Sequence, residues 1–145
     1  MGAEDYRLMP AARRFDLGNY NFTGTAAVDA SLAELLELGT RNIESYVTEL
    51  ARTLAQGFLD LGLPVMGGKP GPHLAHIITV GAMSASHYGT EDQRFDRLHK
   101  HLSENKVKLS IRRGVLRFSL HLYNNSDDVA RVLDLTRAFV TADQR

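Results

Sequence analysis

The hydrophobic patterning predicts an α+β fold: a small, mostly antiparallel sheet with helices packed on one face. Three observations carry that prediction. Residues 107–120 form two short runs of alternating hydrophobicity around Arg113-Gly114, and LAHIITV at 74–80 is rich in β-branched residues. Four other segments repeat their apolar residues at three- and four-residue spacing. The resulting order is helix, helix, strand, helix, strand, strand, helix, with no internal repeat.

Residues 1–22 lack periodicity and hold Gly18, Asn19 and Asn21, so they read as an extended arm; residues 23–145 form the folded domain. The first helix covers residues 24–38. Its polar stripe is confined to Asp29, Ser31, Glu34 and Glu37; a helix apolar on most sides is expected to be buried on most sides, and without a covering partner it would expose a large apolar patch that marks an interaction site or an aggregation liability. Gly39 ends it, and Thr40 can cap the second helix, which runs to about Leu61. There Ile43, Tyr46, Val47, Leu50, Leu54, Phe58 and Leu61 share one side. Gly62 and Pro64 stop it, and GGKPGP at 67–72 is a loop. The β-branched run at 74–80 reads as a central strand. Thr90 and Gln93 have the spacing of a capping box opening a helix to about Leu102. Ser126, Asp127 and Asp128 start the last helix, their acids favourably placed for the helix dipole. Val129, Val132, Leu133, Leu135, Thr136 and Phe139 give that helix a buried side.

The hairpin VKLSIRRGVLRFSLHLYN at 107–124 is the most informative stretch. A two-residue turn at Arg113-Gly114 sets Arg112 against Val115, Ile111 against Leu116, Ser110 against Arg117 and Leu109 against Phe118. Side chains alternate between the faces of a strand. Leu109, Ile111, Leu116 and Phe118 therefore share an apolar face, and Ser110, Arg112, Val115, Arg117 and Ser119 share the other, with His121 following. Two readings of the polar face stand side by side. It is either a solvated sheet face, as antiparallel sheets commonly have, or an anion site built on planar guanidinium groups.

Composition narrows the classes. The 145 residues include 17 Lys+Arg and 17 Asp+Glu, so no global positive field draws the chain to nucleic acid or an anionic membrane surface. No apolar run approaches a membrane-spanning length, and no signal-peptide pattern follows the start. With no cysteine, disulfides, thiolate metal sites and cysteine nucleophiles are excluded. A soluble cytoplasmic protein is expected.

The hairpin VKLSIRRGVLRFSLHLYNN resembles the C-terminal signature of class V aminotransferases, a branch of the fold-type I pyridoxal-phosphate enzymes, whose form is "vS.R.G.iRvSpH.YNt". RRFDLGNYNFTG at 13–24 looks like the segment that opens the small domain in that family. The arm most resembles the isopenicillin N epimerase-like branch, with GNYN where cysteine desulfurases have GTPN. The resemblance implies a C-terminal small domain and roles for four residues. Arg117 matches the arginine that grips the substrate's α-carboxylate. Arg112 matches the arginine of "R.G" that supports the site. His121 matches the histidine of "SpH", beside the active-site cleft. Asn19 falls where many relatives carry a threonine that contacts the cofactor phosphate of the neighbouring subunit. The partners so implied are an amino-acid substrate and either a second copy of the chain or a large domain.

Two departures from the family carry weight. Cysteine desulfurases of this class have a persulfide-forming cysteine near the hairpin, and this chain has none. The family's Schiff-base lysine, its pyridinium-pairing aspartate and its ring-stacking residue all belong to the large domain. Lys69, Lys100, Lys106 and Lys108 do not match that lysine's context, so no catalytic residue is assigned, and the chain alone is expected to be inactive. Nor is a metal site expected. His73 with His76, and His99 with His101, lack acidic partners at ligand spacing. GGKPGP does not have the order of a phosphate-binding loop.

Overall fold

The computed structural model describes residues 7–16, 18–85 and 90–143. Part of the expected arm, residues 1–6 and 17, lies outside the described residues. Contacts divide the chain into two compact units, Met1–Gly39 and Thr40–Arg145.

In the first unit the segment read as extended includes a 3-10 helix at Ala11–Phe15. Helix α1 (Phe22–Leu38) starts two residues earlier than its periodicity suggested. The reason is a cap the pattern does not reveal: the Asn21 side chain accepts the Gly24 N–H at 2.8 Å. Gly39, at φ +83°, closes the helix by donating its N–H to the Leu35 carbonyl. The expectation that α1 is buried on most sides is overturned, since none of its residues is buried. Val28, Leu32 and Leu36 are 58%, 52% and 72% exposed. Its neighbour within this unit is one short 3-10 helix, too little to cover it.

The second unit is the predicted α+β layer. Its helices are α2 (Thr40–Asp60), α3 (Gln93–Glu104) and α4 (Ser126–Asp143); its strands are β1 (Ile77–Val80), β2 (Ser110–Arg112) and β3 (Val115–Ser119). All pairings are antiparallel, in the order β1-β3-β2. The observed register sets Ser110 against Arg117, Ile111 against Leu116 and Arg112 against Val115, as the turn predicted. Leu109 falls just outside β2, so its expected pairing with Phe118 is not part of the ladder; Phe118 pairs instead with Ile78 on the other side. The strand expected at the centre, β1, lies beside the central strand β3. Its outer edge is occupied by a bridge from Val65, by Met66 N–H donating to the Thr79 carbonyl, and by Gly81 N–H donating to the Pro64 carbonyl. An edge covered in this way tolerates the apolar, β-branched sequence of a central strand.

The core lies on the face of the sheet that carries Ile78, Val80, Leu116 and Phe118, all buried. Helix α2 sets Val47, Leu50, Ala51, Leu54, Ala55 and Phe58 against it. The Phe58 and Phe118 rings meet at 4.9 Å, tilted by 41°. Burying side chains of this size contributes about 1.5–3 kcal/mol each, so this cluster dominates the unit's stability. Gly57 admits Leu133 of α4 so closely that an added Cβ would sit 2.5 Å from its methyl carbons.

Two helix starts show how capping was resolved. The Thr90/Gln93 capping box does not form. Asp92 caps α3 instead, accepting the Arg94 N–H at 2.8 Å, while the Thr90 hydroxyl donates to the Asp92 carbonyl. At α4 the cap is reciprocal. Asn125 Oδ1 accepts the N–H groups of Asp127 and Asp128, and Asp128 Oδ2 accepts the Asn125 N–H. At the far end of α4, Asp143 opposes the helix dipole but is held by Arg97 Nη2 at 2.7 Å and Arg94 Nε at 3.2 Å from α3. The Arg97 hydrogen bond, outweighing partial desolvation, holds the Asp143 carboxyl below the usual aspartate range, with both arginine charges adding to the effect.

Two outcomes follow from this packing. Gly114→Ala should lower stability by about 1–3 kcal/mol, because φ is +83° and a Cβ would lie 2.6 Å from Ser84 Oγ and 3.0 Å from Ser84 N. Urea unfolding reads this directly, and an unchanged midpoint would show that the turn is not constrained. The second concerns acid. Because the folded Asp143 value is depressed, its contribution is fully present above the ordinary aspartate pKa of about 3.9 and is lost as pH falls through the lowered folded value. Thermal melts below about pH 4 should therefore show a smaller acid-dependent decline for Asp143→Asn than for the native chain.

Candidate carboxylate-binding face

The polar face of the sheet is set by β3. This strand is hydrogen-bonded on both sides, to β1 and to β2, and its neighbours in sequence, Leu116 and Phe118, are locked in the core. Alternation then sends Arg117 to the opposite face, where it is half-buried. Its cross-strand partners are Thr79 on β1 and Ser110 on β2, so short hydroxyl side chains flank the arginine on both sides. Arg112 shares this face from the hairpin tip and is exposed; it lies diagonally from Arg117, at a Cα separation of about 7–8 Å for such neighbours. The polar face also includes Val115, which is buried although it lies outside the main core cluster.

Among the described residues, the side chains of Arg112 and Arg117 make no hydrogen bond and no ion pair. The strand residues that share their face, Ile77, Thr79, Ser110, Val115 and Ser119, include no acid. The arrangement is two guanidinium groups on a rigid surface with no acid among its described strand residues. A carboxylate or phosphate oxygen pair suits the planar donor fork of such a group.

His121 stands two residues beyond β3, and the Leu120 N–H bond to the His76 carbonyl extends the β1–β3 pairing up to it. It is exposed, and its ring stacks on Tyr123 with centroids 5.0 Å apart. Its backbone is pinned from both directions: His121 N–H donates to Asn124 Oδ1, and Asn124 N–H donates back to the His121 carbonyl. The Asn124 carbonyl in turn accepts the Tyr46 hydroxyl at 2.8 Å, tying this turn to α2. Arg112, Arg117 and His121 are thus carried by the hairpin and the turn that follows it. Asn19 lies in the other unit, exposed, two residues before the cap of α1. The hydroxyl pair Thr79 and Ser110 was not singled out by sequence reasoning as site residues; placing Thr79 needs the β1–β3 register, which no local pattern encodes.

The chain's lysines do not fit the covalent anchor of pyridoxal phosphate. Lys69 is exposed in the 67–72 loop, Lys100 is exposed and lies 3.9 Å from Glu104, and Lys106 and Lys108 are exposed near the start of the hairpin. No step through that group is therefore derived for this chain. Among the described residues no group of three or more His, Cys, Asp or Glu side chains could hold a metal ion. A hollow of about 630 Å³ between α2 and α4 includes no hairpin residue, and its arginines, Arg52 and Arg137, are ion-paired with Glu49 and Asp134.

No family model matches the chain. It is 31% identical over 122 residues to an uncharacterized aminotransferase of Schizosaccharomyces pombe, a match that takes in 83% of this chain and 28% of that protein. It is also 31% identical over 128 residues to a probable cysteine desulfurase of Pseudomonas putida, covering 86% of this chain and 32% of that one. The chain thus spans about a third of the length of these relatives. Among solved structures it is similar to a cysteine desulfurase from Thermococcus onnurineus, with TM-score 0.74, 18% identity, and coverage of 97% of this chain and 36% of that one. It is also similar to a serine palmitoyltransferase of Sphingomonas wittichii, with TM-score 0.61, 20% identity, and coverage of 81% and 28%. The fold is therefore the α+β small-domain fold of the fold-type I pyridoxal-phosphate proteins. The curated relatives it matches carry the names of an aminotransferase and a cysteine desulfurase, in line with the class V resemblance of the hairpin.

The pinned turn beyond β3 gives a further expectation. Asn124→Ala should loosen it and lower stability by about 1 kcal/mol, because the His121 N–H loses its acceptor. Amide exchange at His121 should accelerate in the same variant, and an unchanged rate would show that Asn124 does not hold the turn.

Proposed function

We propose that this chain contributes substrate-carboxylate binding to a pyridoxal-phosphate-dependent enzyme that transforms amino acids at the α-carbon. The observation that carries this reading is Arg117. Its side chain projects half-buried from a central strand, makes no hydrogen bond or ion pair among the described residues, and shares its face with a second arginine whose side chain is likewise without one among them. Arg112 supports the anion from the hairpin tip, and His121 borders the cleft. Asn19 is assigned to the cofactor phosphate of a neighbouring subunit, on its position in the GNYN segment at 18–21. The reaction at the α-carbon is epimerisation, transamination or elimination, and the same segment favours the isopenicillin N epimerase-like branch. Desulfuration is disfavoured, because the chain has no cysteine to carry a persulfide. The proposed division is an arm at 1–22 and a small domain at 23–145, acting in the cytoplasm. No helix among the described residues is long and apolar enough to cross a membrane.

Calorimetric titration of the chain with α-amino acids tests the arginine. Binding to the native chain should be saturable and should weaken by at least about tenfold in Arg117→Ala, as expected for a charge-assisted hydrogen bond of about 1.5–3 kcal/mol. Equal binding by the two would remove Arg117 from the role. Incubation with pyridoxal phosphate followed by borohydride should leave no stoichiometric adduct on any single lysine.

The exposure of α1 favours a second reading, that of a module whose main task is to bind another polypeptide surface. Val28, Leu32 and Leu36 form an apolar stripe on a helix with no buried residue. A second copy of the chain or a large domain of the family type is the proposed partner. Light scattering at tens of micromolar should detect self-association, reduced by Leu32→Glu combined with Leu36→Glu; a strictly monomeric native chain would count against self-association.

A further inference from the structure

A second binding site opens on the other side of the hairpin from Arg117. Between the end of β3, the segment 106–108 that leads into β2, and the first turns of α4 lies a slot of about 430 Å³. Its floor is apolar, formed by Val107, Phe118, Leu120, Val129 and Val132, and it reaches down to Leu54, a fully buried residue of α2. Its volume falls within the range of pockets that enclose small ligands, and its lining is the usual one: apolar walls with a few polar groups at the mouth.

The mouth is unequally charged. Lys106, Lys108 and Arg131 line it against one acid, Asp128. That acid is already engaged, since its Oδ2 accepts from Asn124 Nδ2 and from the Asn125 N–H as part of the α4 cap. Arg131 reaches over to donate to the Asn105 carbonyl at 3.1 Å, which holds α4 against the end of α3. Lys106 and Lys108 are exposed and join no ion pair among the described residues. Lys106 also occupies a left-handed backbone position, φ +67°, just after α3, where glycine or asparagine is the unstrained choice. A cation is thus carried at a position that backbone preference alone would not assign to it.

We infer that this slot binds an amphipathic monoanion, an alkyl or aryl carboxylate, with its apolar group against Phe118, Leu120 and Val132 and its carboxylate at Lys106 and Lys108. The slot is lined mainly from the core side of β3, and Ser119 is the one lining residue it shares with the arginine face. Phe118 belongs to the core face of β3, whereas Arg117 projects from the opposite one.

Octanoate is the probe, with octanamide as its uncharged counterpart. The native chain should bind octanoate saturably at one site, with amide shifts centred on Val107, Leu120 and Val132. Octanamide should bind at least about tenfold more weakly, the loss expected for one charge-assisted hydrogen bond. The double variant Lys106→Gln/Lys108→Gln changes only exposed side chains and should fold as the native chain does, which an unchanged melting curve verifies. It should weaken octanoate binding to the level of octanamide. Any of three results overturns the proposal: no saturable octanoate binding, equal affinity for the two probes, or shifts centred on Thr79 and Arg117 rather than on the slot.

Discussion

Two consecutive residues with left-handed backbone, Arg113 and Gly114 at φ +51° and +83°, set the geometry on which the second unit depends. Positive φ at both central positions is the requirement of a type I′ turn, whose twist matches that of the flanking strands. The turn fixes Arg112 opposite Val115, and every later pairing follows from it. A slip of one residue would turn Leu116 and Phe118 to solvent and Arg117 into the core. Because β3 pairs with both other strands, the error would pass to β1 as well. The Phe58–Phe118 contact penalises that slip most directly, since it exists only in the observed register.

The same constraint makes the arginine face chemically useful. A guanidinium on a loop must be ordered when it binds, at the cost of side-chain and backbone entropy. On β3 the backbone part of that cost is already met by folding. Electrostatics points the same way. Diagonal neighbours have Cα atoms about 7–8 Å apart, and two like charges separated by a distance of that order would repel by roughly 0.5–2 kcal/mol, depending on how well solvent screens them. With no acid among the strand residues of the face, an incoming anion relieves that repulsion as well as accepting hydrogen bonds. An ordinary solvated sheet face gains nothing from placing both arginines on the same diagonal.

What could be read from the chain in advance was local. The hairpin register was legible because a two-residue turn and period-two alternation each specify it independently, and they agree. Strand order was not, because the feature that lets β1 look central, a bridge from Val65 to Val80, comes from a segment that carries no strand pattern of its own. The start of α3 was ambiguous for a different reason. Thr90 and Asp92 are both capable caps two residues apart, and Asp92 is the one whose carboxylate meets the Arg94 N–H. Periodicity identified α1 as apolar, but apolarity is a property of the helix and burial is a property of what surrounds it. The slot beneath Lys106 and Lys108 draws on α2, the 106–108 segment, β3, the Tyr123 turn and α4, so no single window of sequence contains it.

The carboxylate face and the exposed helix pose complementary demands. A guanidinium fork recognises the group that all α-amino acids share, so in the proposed role Arg117 would give affinity without distinguishing one side chain from another. Discrimination requires a second wall, one that meets the substrate's variable group while its carboxylate is held. The strand residues beside Arg117 are mostly small or hydroxylated (Thr79, Ser110, Ser119), which leaves the face open rather than shaped. The stripe on α1 is likewise a surface prepared for contact, apolar enough that burying it against another polypeptide would be favourable at about 25 cal/mol per Å². Each is, in its own unit, an incomplete surface that invites a partner. On the proposed reading, the chain's own residues would fix where a carboxylate sits, and a partner surface would decide which carboxylate it is.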